Sequence, residues 1–274
     1  MYAYADDTFI FREIKSDHDI NILQSDIDTL DWWSKNNALK LNPSKCQVMC
    51  INRRKVKPAP SYNVNGTILE STNSLRLLGV TVSSDLSWNC HVNNIVKKCN
   101  KLLGFIRIVV GCKNQYVLLK LYQTLIIPIL DYCSPVWNVY KKCNVEKIES
   151  VQRRATRMIL CQRRGEQSYQ DRIKTLNLMT LESRRTYVSI SFACSCLTHA
   201  SPFLFCRWCV NPRYYDLTFK QTVTPKTNHF KFCLWVQFPV IWSTIPTSVR
   251  NMLIANNFNT FKRGLRAHFI ENNM

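Results

Sequence analysis

At Trp88 the hydrophobic period changes, and that change bounds what the chain can fold into. Before it, apolar residues come in short runs punctuated by turn residues. After it, they recur at helical spacing. Tyr2 to Tyr4, the acidic pair Asp6-Asp7, and Thr8 to Phe11 read as strand, tight turn and strand. Ser16 follows as a helix N-cap with Asp19 three residues on, and Ile20, Leu23, Ile27 and Leu30 give that helix an apolar face. Asn36 and Asn37 suit its end. Beyond Pro43 the pattern predicts a short strand from Cys46 to Ile51 and a basic turn, NRRKVKPAP. A hairpin about Asn65-Gly66 follows, then LRLLGVTV as a further strand.

Downstream, Val92, Ile95, Val96, Cys99, Leu102, Leu103 and Ile106 mark one face of a helix, with Lys97, Lys98 and Lys101 away from it. A second helix from about Tyr116 is stopped or kinked near Pro128. A third buries Val145, Ile148, Val151, Ala155 and Met158. Two more are expected at 180–198 and 256–270, while 200–250 reads as irregular and aromatic. The fold class is therefore α+β, strands first and helices after.

Charge divides along the same line. Of 37 Lys and Arg and 18 Asp and Glu, residues 1–60 hold 9 and 8, whereas 61–274 hold 28 and 10. A balanced, carboxylate-rich segment precedes a strongly basic body, which favours a polyanionic partner, nucleic acid before membrane. VQRRATRMILCQRRGE sets Arg153, Arg154, Arg157, Arg163 and Arg164 within a dozen residues of helix and helix end, as phosphate-contacting candidates. LLKLYQTLIIPIL is shorter than the ~20 apolar residues a membrane helix needs, and it carries Lys120 and Gln123. Thirteen cysteines, an odd number at largely apolar positions with no recognisable secretory signal, read as reduced thiols of an intracellular, nuclear or cytoplasmic chain. Cys194, Cys196, His199, Cys206 and Cys209 cluster, but CRWC meets no second Cys-x-x-Cys, so zinc is the weaker reading.

Adjacent carboxylates at a hairpin suit a metal site for nucleotidyl transfer, since Mg²⁺ takes hard oxygen ligands and substrate phosphates. YADD between apolar strands resembles the catalytic hairpin of reverse transcriptases. LKLNPSKCQVM, LRLLGVTVSSDLSWNCHV, LNLMTLESRR and WSTIPTSVR with FNTFKRGL are similar, in this order, to segments of non-LTR (LINE-type) retrotransposon polymerases.

The resemblance implies a small antiparallel palm remnant over 1–87, a mainly α-helical thumb-like region over 88–200, and an irregular aromatic region over 201–274 ending in a helix. It implies that Asp6 and Asp7 are metal-site carboxylates, that Lys45 lies near the incoming triphosphate, and that Leu78, Gly79 and Val80 form a primer grip. RNA template and DNA primer are the implied partners. The family needs a third carboxylate, expected upstream of Met1 together with the fingers, so the expectation is weak Mg²⁺ binding and no polymerase activity in this chain alone. Two other readings stand beside it: a non-catalytic basic module that binds nucleic acid, and an unstable relic of an element.

Overall fold

The structure is a computed structural model that describes residues 1–51, 60–111, 114–163, 165–198, 208–210, 219–221, 227–254 and 258–272. It divides into two compact units, 1–87 and 88–274.

In the first unit, β1 (Tyr2–Tyr4) and β2 (Asp7–Phe9) form a hairpin in which Tyr4 faces Asp7. The turn is thus Ala5-Asp6, one residue earlier than the sequence suggests, and β2 stops at Phe9. Helix α1 (Asp17–Asn36) starts as its cap predicts: Asp19 Oδ2 accepts the backbone N–H of Lys15 and Ser16 at 3.0 and 2.9 Å. These donors hold the Asp19 carboxyl below its ordinary value, the Lys15 bond leading. The helix ends at Asn36, and Ala38 rather than an asparagine takes the left-handed conformation, at φ 56°.

A short 3-10 turn (Pro43–Lys45) leads to β3 (Gln47–Val48), much shorter than the strand expected. Strands β4 (Asn63–Val64) and β5 (Thr67–Ile68) flank Asn65-Gly66, whose φ values of 55° and 73° are those of a type I′ hairpin. Strand β6 (Glu70–Ser71) pairs in parallel with β3. LRLLGVTV is not one strand. It is a second hairpin, β7 (Ser74–Leu77) and β8 (Val80–Ser83), turning at Leu78-Gly79.

The core of this unit is small. Ile27, Tyr62 and Val64 are buried, with Ile10, Ile20, Leu23, Leu41, Val48 and Leu69 packed against them. Ile10, directly after β2, ties the first hairpin to the α1 face. Gln24 of α1 both donates to the carbonyl of Asn63 and accepts its N–H, each at 3.0 Å, so a helix side chain completes the edge of β4.

The second unit is helical among its described residues, apart from the pair β9 (Trp208–Val210) and β10 (Phe219–Gln221). Helix α2 (Asn89–Val109) packs along α6 (Lys142–Ile159). Val92, Cys99, Leu103 and Ile106 of α2 are buried, as are Ile148, Val151, Ala155 and Ile159 of α6. Asn144 of α6 donates to Asn89 of α2 at 2.8 Å at one end of this contact.

Between them, α3 (Gln115–Leu121) passes through a π-helical turn, Tyr122–Ile126, into α4 (Ile127–Asp131). The widened turn lies where Pro128 lacks an N–H and its ring would crowd the carbonyl four residues back, so the chain continues instead of stopping. Helix α5 (Ser134–Trp137) follows, and α7 (Tyr169–Thr175) and α8 (Leu181–Thr198) come after α6. Arg184 of α8 holds Asp131 with two parallel bonds, Nε to Oδ1 at 2.9 Å and Nη2 to Oδ2 at 2.7 Å.

The expected irregularity of 200–250 is corrected over 227–254. There α9 (Asn228–Lys231), α10 (Leu234–Thr244) and α11 (Thr247–Ile254) form, followed by α12 (Phe258–Glu271). Ile190 and Cys194 of α8 share one core with Phe238, Trp242, Val249, Phe261 and Leu265. Residues on either side of position 200 therefore belong to one core. Among the described residues, no helix is long and apolar enough to cross a membrane.

Candidate active-site hairpin and basic helices

The β1–β2 hairpin sets Asp6 in its two-residue turn and Asp7 at the first position of β2. Both carboxylates are exposed. Their placement costs strain: Ala5 sits at φ 53°, a region that L-residues other than Asn and Asp rarely enter. Tyr2 and Tyr4 project from the same face of β1, two residues apart, and are 58 % and 68 % exposed. Tyr2 stacks on Phe11 with ring centroids 5.5 Å apart. The tip is thus polar and open, flanked by aromatic rings.

As metal ligands, Asp6 and Asp7 are hard oxygen donors of the kind Mg²⁺ takes. Among the described residues, no group of three or more His, Cys, Asp or Glu is placed to hold a metal ion. Two carboxylates are too few for a two-metal site, which clamps the attacking and leaving oxygens from both sides. Lys45, the last residue of the 3-10 turn, is exposed, and no hydrogen bond or ion pair joins it to either carboxylate among the described residues. Leu78 and Gly79 form the tip of the β7–β8 hairpin at φ 45° and 86°, and Val80 opens β8 as a buried residue. Gly79 serves a left-handed turn position here, a different need from a close backbone approach.

The basic side chains lie on the helical unit. Lys97, Lys98 and Lys101 are exposed on α2, opposite its buried stripe. Arg153 and Arg154 are exposed on α6, and Arg157 is half-buried. Arg163 is exposed, and its backbone N–H bonds to Glu166 Oε2 at 3.0 Å. Arg164 lies outside the described residues. Of the cysteine cluster, Cys194 is buried in the α8 core and burial pushes its thiol up. His199 and Cys206 lie outside the described residues, as does the side chain of Cys209. All ten cysteines with described side chains are free.

A buried polar chain runs behind the α6 arginines, and the apolar pattern does not reveal it. The Tyr122 hydroxyl donates to Gln152 Oε1 at 2.7 Å; Gln152 Nε2 donates to the Tyr169 hydroxyl at 3.1 Å and to the Met179 carbonyl at 2.7 Å. Tyr169 in turn donates to Glu149, whose carboxylate also accepts the Leu181 N–H at the start of α8. Burial, then the nearby negative charge of Glu149, push the Tyr169 hydroxyl up, so it stays a donor. The available signal was a polar row, Asn144, Gln152 and Thr156, beside the apolar stripe of α6.

Residues 1–82 match the family model described as reverse transcriptase (RNA-dependent DNA polymerase), a match that ends within β8. Over 164 residues the chain is 27 % identical to a probable RNA-directed DNA polymerase from transposon BS of Drosophila melanogaster. That alignment covers 58 % of this chain and 18 % of that protein. It is 24 % identical over 161 residues to the RNA-directed DNA polymerase from mobile element jockey of Drosophila melanogaster, covering 57 % and 18 %. A jockey polymerase of Drosophila funebris is 21 % identical over 140 residues, covering 50 % and 15 %. The aligned part of the chain thus spans less than a fifth of the length of these relatives. No solved structure gives a significant match. These partial homologies, over about half the chain, fit part of a non-LTR reverse transcriptase.

Proposed function

We propose that residues 1–87 form the end of the palm of an RNA-directed DNA polymerase, and that the helical unit after it is a thumb-like region that grips the template–primer hybrid. The whole would be the C-terminal part of a non-LTR reverse transcriptase. The observation that carries this reading is the β1–β2 hairpin, which offers Asp6 and Asp7 at an open tip inside the matched stretch.

In the intact enzyme Asp6 and Asp7 would help hold Mg²⁺, which would supply charge neutralisation at the reacting phosphate. The residues of this chain do the positioning. Asp6 and Asp7 offer exposed oxygens, the exposed Lys45 would meet the leaving pyrophosphate, and the Leu78-Gly79 tip, with Val80 buried behind it, would meet the primer strand. With two carboxylates at the tip and no third ligand beside them among the described residues, primer extension by the chain alone is not expected. Templated deoxynucleotide incorporation on an RNA template with Mg²⁺ is the test. We expect no signal above that of the Asp6→Ala variant; incorporation that Asp6→Ala abolishes would overturn this expectation.

A second reading, nucleic-acid binding without catalysis, is favoured by the exposed cations of α2 and α6. Phosphate contacts of that kind position a duplex without reading its sequence, and they need neither carboxylate.

A further inference from the structure

Arg172, on α7, escapes any reading by charge runs, because Asp171 precedes it and Lys174 is its nearest basic neighbour in the chain. In the fold it turns onto α6 and is only 6 % exposed. Its Nε donates to Thr156 Oγ1 at 3.2 Å and its Nη1 to the Gln167 carbonyl at 2.5 Å. Its guanidinium carbon lies 5.9 Å from the centroid of the Tyr169 ring, and that of Arg153 lies 5.3 Å from the same centroid. Arg157, one turn after Arg153, donates from Nε to the Arg153 carbonyl at 3.2 Å. Two cationic forks from two helices therefore lie over one aromatic ring, and Arg157 is near enough for its charge to act on Arg172.

Among the described residues, none of the three arginines pairs with a carboxylate. The nearby carboxylates spend their hydrogen bonds on neutral donors, Glu149 on Tyr169 and the α8 N-terminus, Glu166 on the Arg163 N–H and Asp171 on Ser168 at 2.5 Å, so they offset the arginines only at a distance. Burial first, then the charges of Arg157 and Arg153, lower the Arg172 pKa from its usual value. Each ring contact is only a weak attraction. Like charges are held together here with a surplus that an anion would offset. A tetrahedral oxyanion suits the arrangement, because each guanidinium has N–H donors beyond the bonds just given, Nη2 of Arg172 among them.

We propose that Arg153 and Arg172 over the Tyr169 ring, with Arg157 beside them, form a binding site for a backbone phosphate of a nucleic-acid strand. The site rests on the nucleic-acid reading above and deepens it. It adds Arg172 as a buried member, and it makes the Glu149–Tyr169–Gln152 chain the support that fixes the ring.

The test is fluorescence anisotropy of a labelled RNA–DNA hybrid with the full chain across a salt series, beside melting curves with inorganic phosphate. Arg153→Gln with Arg157→Gln, both accessible enough to spare the fold, should weaken binding roughly tenfold and lower the salt slope by about one. Arg172→Lys keeps the charge but loses the fork, and should weaken binding while melting near the wild type. If the wild type binds but the double variant matches it in affinity and slope, the site is wrong and the broader reading survives. A double variant that binds the hybrid normally yet loses stabilisation by inorganic phosphate assigns the site to free phosphate and likewise overturns the proposal. A wild type that does not bind at all removes both.

Discussion

Ala5 and Leu78 occupy left-handed backbone at the tips of the two hairpins proposed to carry the carboxylates and to meet the primer, whereas the turn between β4 and β5 uses Asn65-Gly66, residues suited to it. Strain of about 1–2 kcal/mol is stored at each misfit residue. Ala5→Gly should therefore stabilise the first unit by about 1 kcal/mol in chemical denaturation; a loss of stability would show that Ala5 is not strained. Sequence alone placed this turn one residue late, at Asp6-Asp7, because turn propensity sits in the acids while the Tyr4–Asp7 pairing decides the register. His91 carries the other residue-scale consequence. Buried against Trp137 at 5.1 Å, it has a pKa lowered from 6.5 by burial. The folded protein thus resists a proton that the unfolded chain accepts. Its stabilising share is whole above pH 6.5 and declines as pH falls towards the lowered folded value. The stability of the second unit should fall over that window, and the fall should flatten in His91→Phe.

Helices with a clean stripe were legible: α1 from its cap and Ile20-Leu23-Ile27 face, α2 and α6 from their apolar rows. LRLLGVTV was not, since Leu78 has no turn propensity and the tip is forced by pairing of Leu75 with Val82 and Leu77 with Val80. Helix α10 was not legible either, because LWVQFPVIW is apolar on nearly every side and so has no period to read. The polar chain through Gln152, Tyr169 and Glu149 lies deeper still, joining residues distant in sequence. Glu149 is its key position, since it receives Tyr169 and faces the N–H end of α8. Glu149→Gln should cost about 2 kcal/mol in thermal or urea unfolding, from a weakened charged bond and a lost helix-end charge. An unchanged midpoint would mean that the chain is not a support.

For the molecule as a whole, the two units differ in the resources that hold them. Among the described residues, the first buries Ile27, Tyr62, Val64 and Val80, while the second buries Trp137, Tyr122, Phe238, Trp242 and Phe261 with many aliphatics. Backbone amides of 1–87 should exchange faster than those of α2 and α6; the reverse order would contradict the burial account. The division at Trp88 was visible in the hydrophobic period, and the basic surplus of 61–274 in simple composition. The gathering of Arg172 with Arg153 and Arg157 was not, because it depends on how α7 returns to α6. Common to both functional readings, we propose, is a grip on nucleic acid through phosphate contacts of the basic helices, independent of the carboxylate tip. The most direct measurement is the affinity of the full chain for an RNA–DNA hybrid from about 50 to 200 mM salt, for the wild type and for Asp6→Ala with Asp7→Ala. The account predicts a steep, linear fall of log affinity with log salt, with the same slope in both proteins. Binding that ignores salt, or that disappears with the two carboxylates, would contradict it.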